Sequence, residues 1–314
     1  MKILIVCSGN TGYISPFIKE QGDAIASLSN EVDYYSIEGK GIFGYLNNYF
    51  PLRRKIKQLK PDILHAHYGL SGLLATLQFK VPVIVTYHNG EILNKKINLL
   101  SSLSVLLNKY SIYVAEHIRK KMYIKTKKKY QFIPCGIDLN TNIVIDKNEA
   151  LSRMSLDKTK INILFGGAIN NERKNYKLAA SALEILSKEY NNLKLIELKG
   201  YNRSKVVLLL NACDLALLPS KSEGSPQFIK EAMACNCPIV ATDVGDVKEV
   251  IGNTDGCYLT SFDSLALADK IKLAFEFVRV KGKTNGRERV IELGLDSDTV
   301  VKKIISIYQN VLNQ

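Results

Sequence analysis

The 314 residues contain no apolar run approaching the roughly 20 residues that a membrane-spanning helix requires. The opening stretch, Met1-Lys-Ile-Leu-Ile-Val-Cys7, is too short an apolar run for a signal peptide and reads as a first strand. Six cysteines (7, 135, 213, 235, 237 and 257) are scattered, mostly in apolar or strand-like contexts. That pattern excludes a disulfide framework and predicts buried thiols in a reducing compartment, so a cytoplasmic location is expected. Cys235-x-Cys237 lacks a second ligand pair, which argues against zinc. The loop after the first strand, Ser8-Gly-Asn-Thr-Gly12, is not Gly-x-Gly-x-x-Gly, nothing in the chain reads as a P-loop, and neither a metal nor a cofactor is expected. Tryptophan is absent, and nothing follows from that.

Acidic residues are also in short supply. Lys and Arg number 43 against 30 Asp and Glu, a net charge of +13. Residues 1–157 hold 21 basic against 12 acidic residues, and the remainder 22 against 18. The densest basic run is Arg119-Lys-Lys-Met-Tyr-Ile-Lys-Thr-Lys-Lys-Lys129. A solvated helix face is the default reading of such a run, with attraction to anionic lipid the alternative if the acceptor is membrane-anchored. No nucleic-acid-binding signature accompanies the charge, so a nucleic-acid partner is not expected.

Hydrophobic residues make up 46% of the chain and charged residues 23%, ordinary values for a globular protein. The length suits two domains of about 150 residues. Each half alternates apolar strands with helical patterns, which predicts an α/β fold of two doubly wound, Rossmann-like parallel sheets. Strands are expected at Lys2–Cys7, Val32–Ile37, Pro61–His67 and Val81–Thr86 in the first half. In the second half they fall at Asn162–Phe165, Leu193–Leu198, Asp214–Leu218 and Pro238–Thr242. Tyr45–Leu59 reads as a helix broken at Pro51. The polar stretch 139–160 shows no clear core strand and is the best linker candidate. The expected division is 1–157, 158–297 and a C-terminal helix over 298–314.

One stretch concentrates the chemistry. After the apolar run Leu215–Leu218 come Pro219-Ser-Lys-Ser-Glu-Gly-Ser-Pro226 and a helix from about Gln227 to Cys235. Glu223 falls in the loop at the mouth of the sheet, and Glu231, eight positions later, on the helix's second turn. The helix N-terminus between them offers unpaired N–H groups to an anion or to sugar hydroxyls. Each carboxylate can accept hydrogen bonds from a pair of vicinal hydroxyls. Arg173 and Lys174 stand at a helix entrance beside Gly166 and Gly167, where cations can grip a diphosphate and offset charge on a leaving phosphate. A solvated basic pair is the bland alternative. Gly9, Asn10 and Gly12 lie in the loop after the first strand, which either cradles a phosphate or simply turns the chain. His65, His67 and His88 lie at strand ends, where an open parallel sheet collects ligands. Structural packing is the default for the first two, and a functional role is favoured for His88.

The run from Pro219-Ser-x-x-Glu-Gly through Glu231-Ala-Met-Ala-Cys-Asn-Cys-Pro-Ile-Val-Ala-Thr-Asp-Val-Gly-Asp246 resembles the donor-site signature of family 4 retaining glycosyltransferases of the GT-B fold. Ser8–Gln21 resembles that family's glycine loop, Thr86-Tyr-His-Asn-Gly90 its Thr-x-His-Gly, and Ile133-Pro-Cys-Gly-Ile-Asp138 the segment that closes its first domain. Three positions depart from the pattern: Asn89 for Gly, Cys135 for Asn, and Ala168 where an Arg is usual. The resemblance covers about residues 2–312. It implies two domains facing across a cleft and transfer of a sugar from a nucleotide-diphosphate sugar to a saccharide or lipid-linked acceptor, without a metal. It also implies residue roles. Glu231 would hold the ribose. Glu223 would meet the sugar, with Gly224, Ser225 and the backbone of Gln227 and Phe228. Lys174, helped by Arg173, would stabilise the diphosphate, and His88 would help place the donor sugar. The competing readings are a nucleotide-sugar 2-epimerase on the same fold and a non-catalytic sugar-nucleotide-binding partner.

Overall fold

The computed structural model describes residues 1–126 and 129–314. Lys127 and Lys128, part of the basic run, lie outside the described residues. The chain divides into two compact units, Met1–Gly136 with Ser297–Gln314, and Ile137–Asp296.

The first unit follows the expected alternation. Its elements are β1 (Lys2–Ser8), α1 (Pro16–Ser27), β2 (Glu31–Ile37), α2 (Gly41–Leu46), α3 (Tyr49–Leu59), β3 (Ile63–His67) and α4 (Gly69–Thr76). They continue with β4 (Val83–Tyr87), α5 (Lys95–Leu107), β5 (Tyr110–Tyr113), α6 (Glu116–Lys121) and β6 (Tyr130–Phe132). All six strands are parallel, in the order β2-β1-β3-β4-β5-β6. Strand β1 shows why its sequence is continuously apolar: it is covered on both faces. Ile3, Ile5 and Cys7 pack with Ile18, Ile25 and the C-terminal segment Val300–Val311. Leu4 and Val6 face the other way, onto Leu52, Ile56, Leu74 and Ala75.

The second unit contains α7 (Lys147–Arg153), β7 (Ile161–Phe165), α8 (Tyr176–Leu186), β8 (Leu193–Glu197), α9 (Arg203–Ala212), β9 (Leu215–Leu218) and α10 (Gln227–Ala234). It then runs through β10 (Ile239–Thr242), α11 (Val247–Ile251), β11 (Cys257–Thr260), α12 (Ser264–Lys281) and α13 (Gly286–Glu292). Its five strands are parallel in the order β11-β10-β9-β7-β8. Ile163 and Phe165 pack on Ala179, Ala182, Leu267 and Ile271. Leu164 and Leu218 pack on Ile229, Ala232 and Met233. The last helix, α14 (Ser297–Leu312), returns to the first unit and packs on α1.

Three expectations need correction. Pro51 does not break a helix: the interruption lies at Asn47–Asn48, and Pro51 falls in the first turn of α3. A first-turn N–H has no intrahelical partner, so proline costs little there. The segment 139–160 is not a linker. It contains α7, whose Ala150 and Leu151 bury against Leu208 and Ala212 of α9. The Asn211 side chain holds this segment by accepting from the Ile145 N–H (2.8 Å) and donating to the Ile143 carbonyl (2.9 Å). The division between units therefore falls at residues 136–137, not at 157.

Candidate functional site

In each sheet the strand order reverses at one place, and the loops leaving the carboxyl ends of the strands there form the natural ligand crevice. In the second unit that place is between β7 and β9, and in the first between β1 and β3. The residues singled out above leave these strands or their immediate neighbours.

In the second unit β9 leads into the loop that carries Glu223, and α10 follows at once, with Pro226 as its N-cap and Glu231 on its second turn. Both glutamates are buried. Each meets one cation. The Lys174 ammonium donates to Glu223 Oε1 at 2.7 Å. Arg203, the first residue of α9, pairs with Glu231 Oε1. Lys174 ends a 3-10 turn, Glu172–Lys174, in which the Arg173 N–H donates to the Asn171 side chain at 3.1 Å. The turn is tied to the β9 loop by a Lys221 N–H to Arg173 carbonyl bond of 2.8 Å.

Two glycines let these groups come together. A Cβ on Gly167 would lie 2.7 Å from the Lys174 side chain, and one on Gly166 would lie 2.6 Å from the Phe228 ring. Gly245 combines a positive φ of 68° with a Gly224 carbonyl 2.5 Å from where a Cβ would sit. No other residue type fits that position without moving backbone.

Below this lies a second polar cluster. Lys230 is fully buried and donates to Ser225 Oγ at 2.6 Å, and Ser225 in turn pairs with Asp246. Burial pushes the Asp246 carboxyl above its ordinary range, while Lys230 and Ser225 pull it partly back. Thr242 Oγ1 donates to the Ser220 carbonyl at 2.6 Å and ties the ends of β9 and β10 together.

In the first unit the β1 loop is internally bonded. Gly9 N–H donates to the Ile37 carbonyl and Gly12 N–H to the Gly9 carbonyl. The Asn10 amide exchanges two bonds with the Gly39 backbone, at 3.0 and 2.8 Å. These groups hold the loop's shape. A cavity of about 290 Å³ opens beside it, lined among others by Ser8, Thr11, Tyr45, Tyr68, Glu91 and Ser101.

Three of the four histidines of the chain stack in a row, His65 on His67 and His67 on His88. His65 bonds Tyr308 OH through Nδ1 (2.6 Å) and Thr86 Oγ1 through Nε2 (2.7 Å), and burial pushes its pKa down to about 3. His67 stacks on His65 and is fully buried, and its Nδ1 lies 3.0 Å from His88 Nε2. The other His88 nitrogen, Nδ1, faces Cys135 Sγ at 3.8 Å. His117 Nε2 reaches the Asn89 side chain at 3.3 Å. The loop after β4 is anchored by Glu91, a buried carboxylate that accepts from the Gly69, His88 and Asn89 N–H groups. Asn89 takes a positive φ of 110°, a region that asparagine tolerates better than most residues.

The sequence-predicted residues thus separate by unit. Glu223, Gly224, Ser225, Gln227, Phe228, Glu231, Gly167, Arg173 and Lys174 converge in the second, and Gly9, Asn10, Gly12 and His88 lie in the first. Sequence reasoning missed Arg203, Lys230, Asp246 and Glu91. Arg203 follows a helix N-cap like many solvated arginines, and only the packing of α9 beside α10 aims it at Glu231. Among the described residues no group of three or more His, Cys, Asp or Glu is placed to hold a metal ion.

Residues 32–141 match the family described as "Glycosyltransferase Family 4", and residues 185–276 match "Glycosyl transferases group 1". The chain belongs to the family 4, group 1 glycosyltransferases. This glycosyltransferase is 25% identical over 311 residues to N,N'-diacetylbacillosaminyl-diphospho-undecaprenol α-1,3-N-acetylgalactosaminyltransferase of Campylobacter jejuni, covering 86% of this chain and 82% of that one. It is 25% identical over 244 residues to the putative teichuronic acid biosynthesis glycosyltransferase TuaC of Bacillus subtilis, covering 69% of this chain and 62% of that one. In fold it is similar to sucrose-phosphate synthase from Thermosynechococcus elongatus, with a TM-score of 0.84, 17% identity, and coverage of 100% of this chain and 99% of that one. The enzyme is therefore a transferase of the GT-B fold, and the epimerase reading loses ground to the family matches.

Proposed function

We propose that this glycosyltransferase takes its sugar from a nucleoside-diphosphate donor held by the second unit. It passes the sugar, with retention at the anomeric carbon, to a hydroxyl of a lipid-linked saccharide in cell-surface polysaccharide synthesis. The observation that carries the reading is the pair of buried carboxylate–cation contacts, Lys174–Glu223 and Arg203–Glu231, on either side of the α10 N-terminus. Glu231 accepts from the ribose hydroxyls and Glu223 from the sugar. The diphosphate competes with Glu223 for the Lys174 ammonium, and Arg173 stands one residue away. As the bond to the anomeric carbon breaks, negative charge grows on the leaving phosphate and Lys174 offsets it. Backbone N–H groups of Gln227 and Phe228 at the open helix end add to this field. No metal or cofactor enters the proposal.

His88, with both ring nitrogens turned to His67 and Cys135, contributes an ordered strand end that helps place the sugar. The acceptor is assigned to the cavity beside the β1 loop. The relatives named for a diphospho-undecaprenol substrate and for teichuronic acid synthesis support a lipid-linked acceptor. With such an acceptor, peripheral contact of the basic N-terminal domain with an anionic membrane follows.

The test is a thermal-shift screen of wild type and Glu231→Ala against UDP, GDP, ADP, CMP and dTDP. A nucleotide at a hundred times its dissociation constant stabilises the native state by about 2.7 kcal/mol. One nucleotide that shifts wild type and not the variant is the expected result. A flat response to all five overturns the donor site, and an epimerised sugar in place of free nucleotide plus glycoside overturns the transfer.

A further inference from the structure

Helix α5 is inside out. Its sequence, Lys95-Lys-Ile-Asn-Leu-Leu-Ser-Ser-Leu-Ser-Val-Leu-Leu107, buries Asn98, Ser101, Ser102 and Ser104 together with Val105. Leu99, Leu103, Leu106 and Leu107 remain 51%, 37%, 44% and 43% exposed. At helical spacing these leucines form one stripe. An ordinary surface helix of a globular unit puts that stripe on the core.

The buried polar face is not idle. Asn98 Nδ2 donates to the Lys121 carbonyl (2.9 Å), and the Tyr123 N–H donates to Asn98 Oδ1 and Ser102 Oγ (3.2 and 3.1 Å). These bonds stitch the segment after α6 along the helix and bring Lys121, Tyr123 and Lys125 beside it, all exposed. Residues 92–136 contain ten Lys and Arg and a single acid, Glu116, which pairs with Lys120 at 2.9 Å. The far side of the same helix contributes Ser101 to the 290 Å³ cavity, whose wall also includes Tyr45 of α2. Helix α2 in turn exposes Phe43 and Leu46.

We infer that the leucine face of α5, framed by Lys95, Lys96 and the segment after α6, docks on an anionic lipid bilayer. An apolar stripe bordered by lysines is the pattern of a helix that lies in the headgroup region, leucines down and ammonium groups among the phosphates. Charge decides against a second copy of the chain as the occupant. A two-fold contact through this face would set the same excess of cations against itself, whereas an anionic surface neutralises it. Docking brings the cavity to the membrane surface. The inference rests on the reading that the acceptor is lipid-linked, and it names the surface that meets the lipid.

The experiment is co-sedimentation with vesicles of phosphatidylcholine alone or with about one part in three of phosphatidylglycerol, at low and raised salt. It uses the full chain as wild type, as Leu99→Ser/Leu103→Ser/Leu106→Ser, and as Lys95→Glu/Lys96→Glu. All these positions are exposed, and circular dichroism checks that each variant folds. Wild type is expected to bind the anionic vesicles and to be released by salt, with each variant weaker by about tenfold or more. The inference is overturned if the leucine variant binds like wild type, or if wild type binds neutral vesicles equally well. It is also overturned if wild type sediments as a dimer that the leucine variant abolishes. The nucleotide shift is recorded on the same three proteins. Vesicle binding lost with the nucleotide shift intact confines the result to the docking face, and a missing shift in wild type strikes at the transferase reading itself.

Discussion

The unit formed by Met1–Gly136 and Ser297–Gln314 carries 21 Lys and Arg against 9 Asp and Glu, while Ile137–Asp296 carries 22 against 21. Both are parallel α/β sheets with loops leaving the same end of the strands. They prepare those loops by different means. In the second unit the buried carboxylates are matched to cations, Glu223 to Lys174 and Glu231 to Arg203. In the first, the buried carboxylate Glu91 is matched to backbone N–H groups, and burial lowers the pKa of the neighbouring His65 and His67. Paired side-chain charges can be traded for those of an incoming diphosphate. A carboxylate satisfied by backbone holds a loop in place and exchanges nothing. In the unit with balanced charge the buried acids meet side-chain cations, and in the unit with surplus charge the buried acid meets backbone.

The sharpest way to break that comparison is Lys174→Met. If Lys174 stabilises the leaving diphosphate, kcat falls by about 100- to 1,000-fold while the protein stays folded. A loss confined to the donor KM would reassign it to ground-state binding.

Acid separates the units next. The folded pKa of His65, pushed down to about 3, lies below its unfolded value of 6.5. The associated stability is present above the unfolded pKa and is lost as pH falls from there towards the folded one. The slope is up to about 1.4 kcal/mol per pH unit. His65→Asn should flatten the pH dependence of urea unfolding over that window, and an unchanged slope would remove His65 from the account.

Glu91→Gln comes third. The amide keeps one acceptor but turns an NH₂ group towards backbone donors, at a cost of about 1–3 kcal/mol in unfolding free energy. Burial raises the Glu91 pKa, so the protonated carboxyl is the form that burial favours, and the associated stability is lost as pH rises through the folded pKa. The Gln variant should lose that dependence.

The smallest effect belongs to the surface. Reversing Lys120 and Lys121, which sit on the exposed α6, should move the melting temperature by no more than about two degrees, because exposed pairs contribute little to stability. A larger shift would mean that the cations of the first unit serve the fold and not a partner.

Much of this molecule was legible in one dimension. Runs such as Lys2–Cys7 and Leu215–Leu218 are apolar at every position because both faces of a parallel strand are covered, so strand, sheet type and class follow from composition and order. The elements that escaped are short or polar. Helices α7 and α13 bury two residues each, too few to mark a face, and β11 has four residues after a positive-φ glycine. The charge asymmetry is stronger along the true division at 136–137 than along 157, because α7 packs on α9 and no composition shift announces it.

The sequence alone determined the class of fold, the family, and the pair Glu223 and Glu231 with Lys174 beside them, since each depends on local spacing along a strand, loop or helix. Tertiary structure alone decided which cation meets which acid, that His65, His67 and His88 stack together, and that α5 turns its leucines outward. Those outcomes depend on which surfaces neighbouring elements present, and a helix's own periodicity reports that it has two faces without saying which one the rest of the chain will cover.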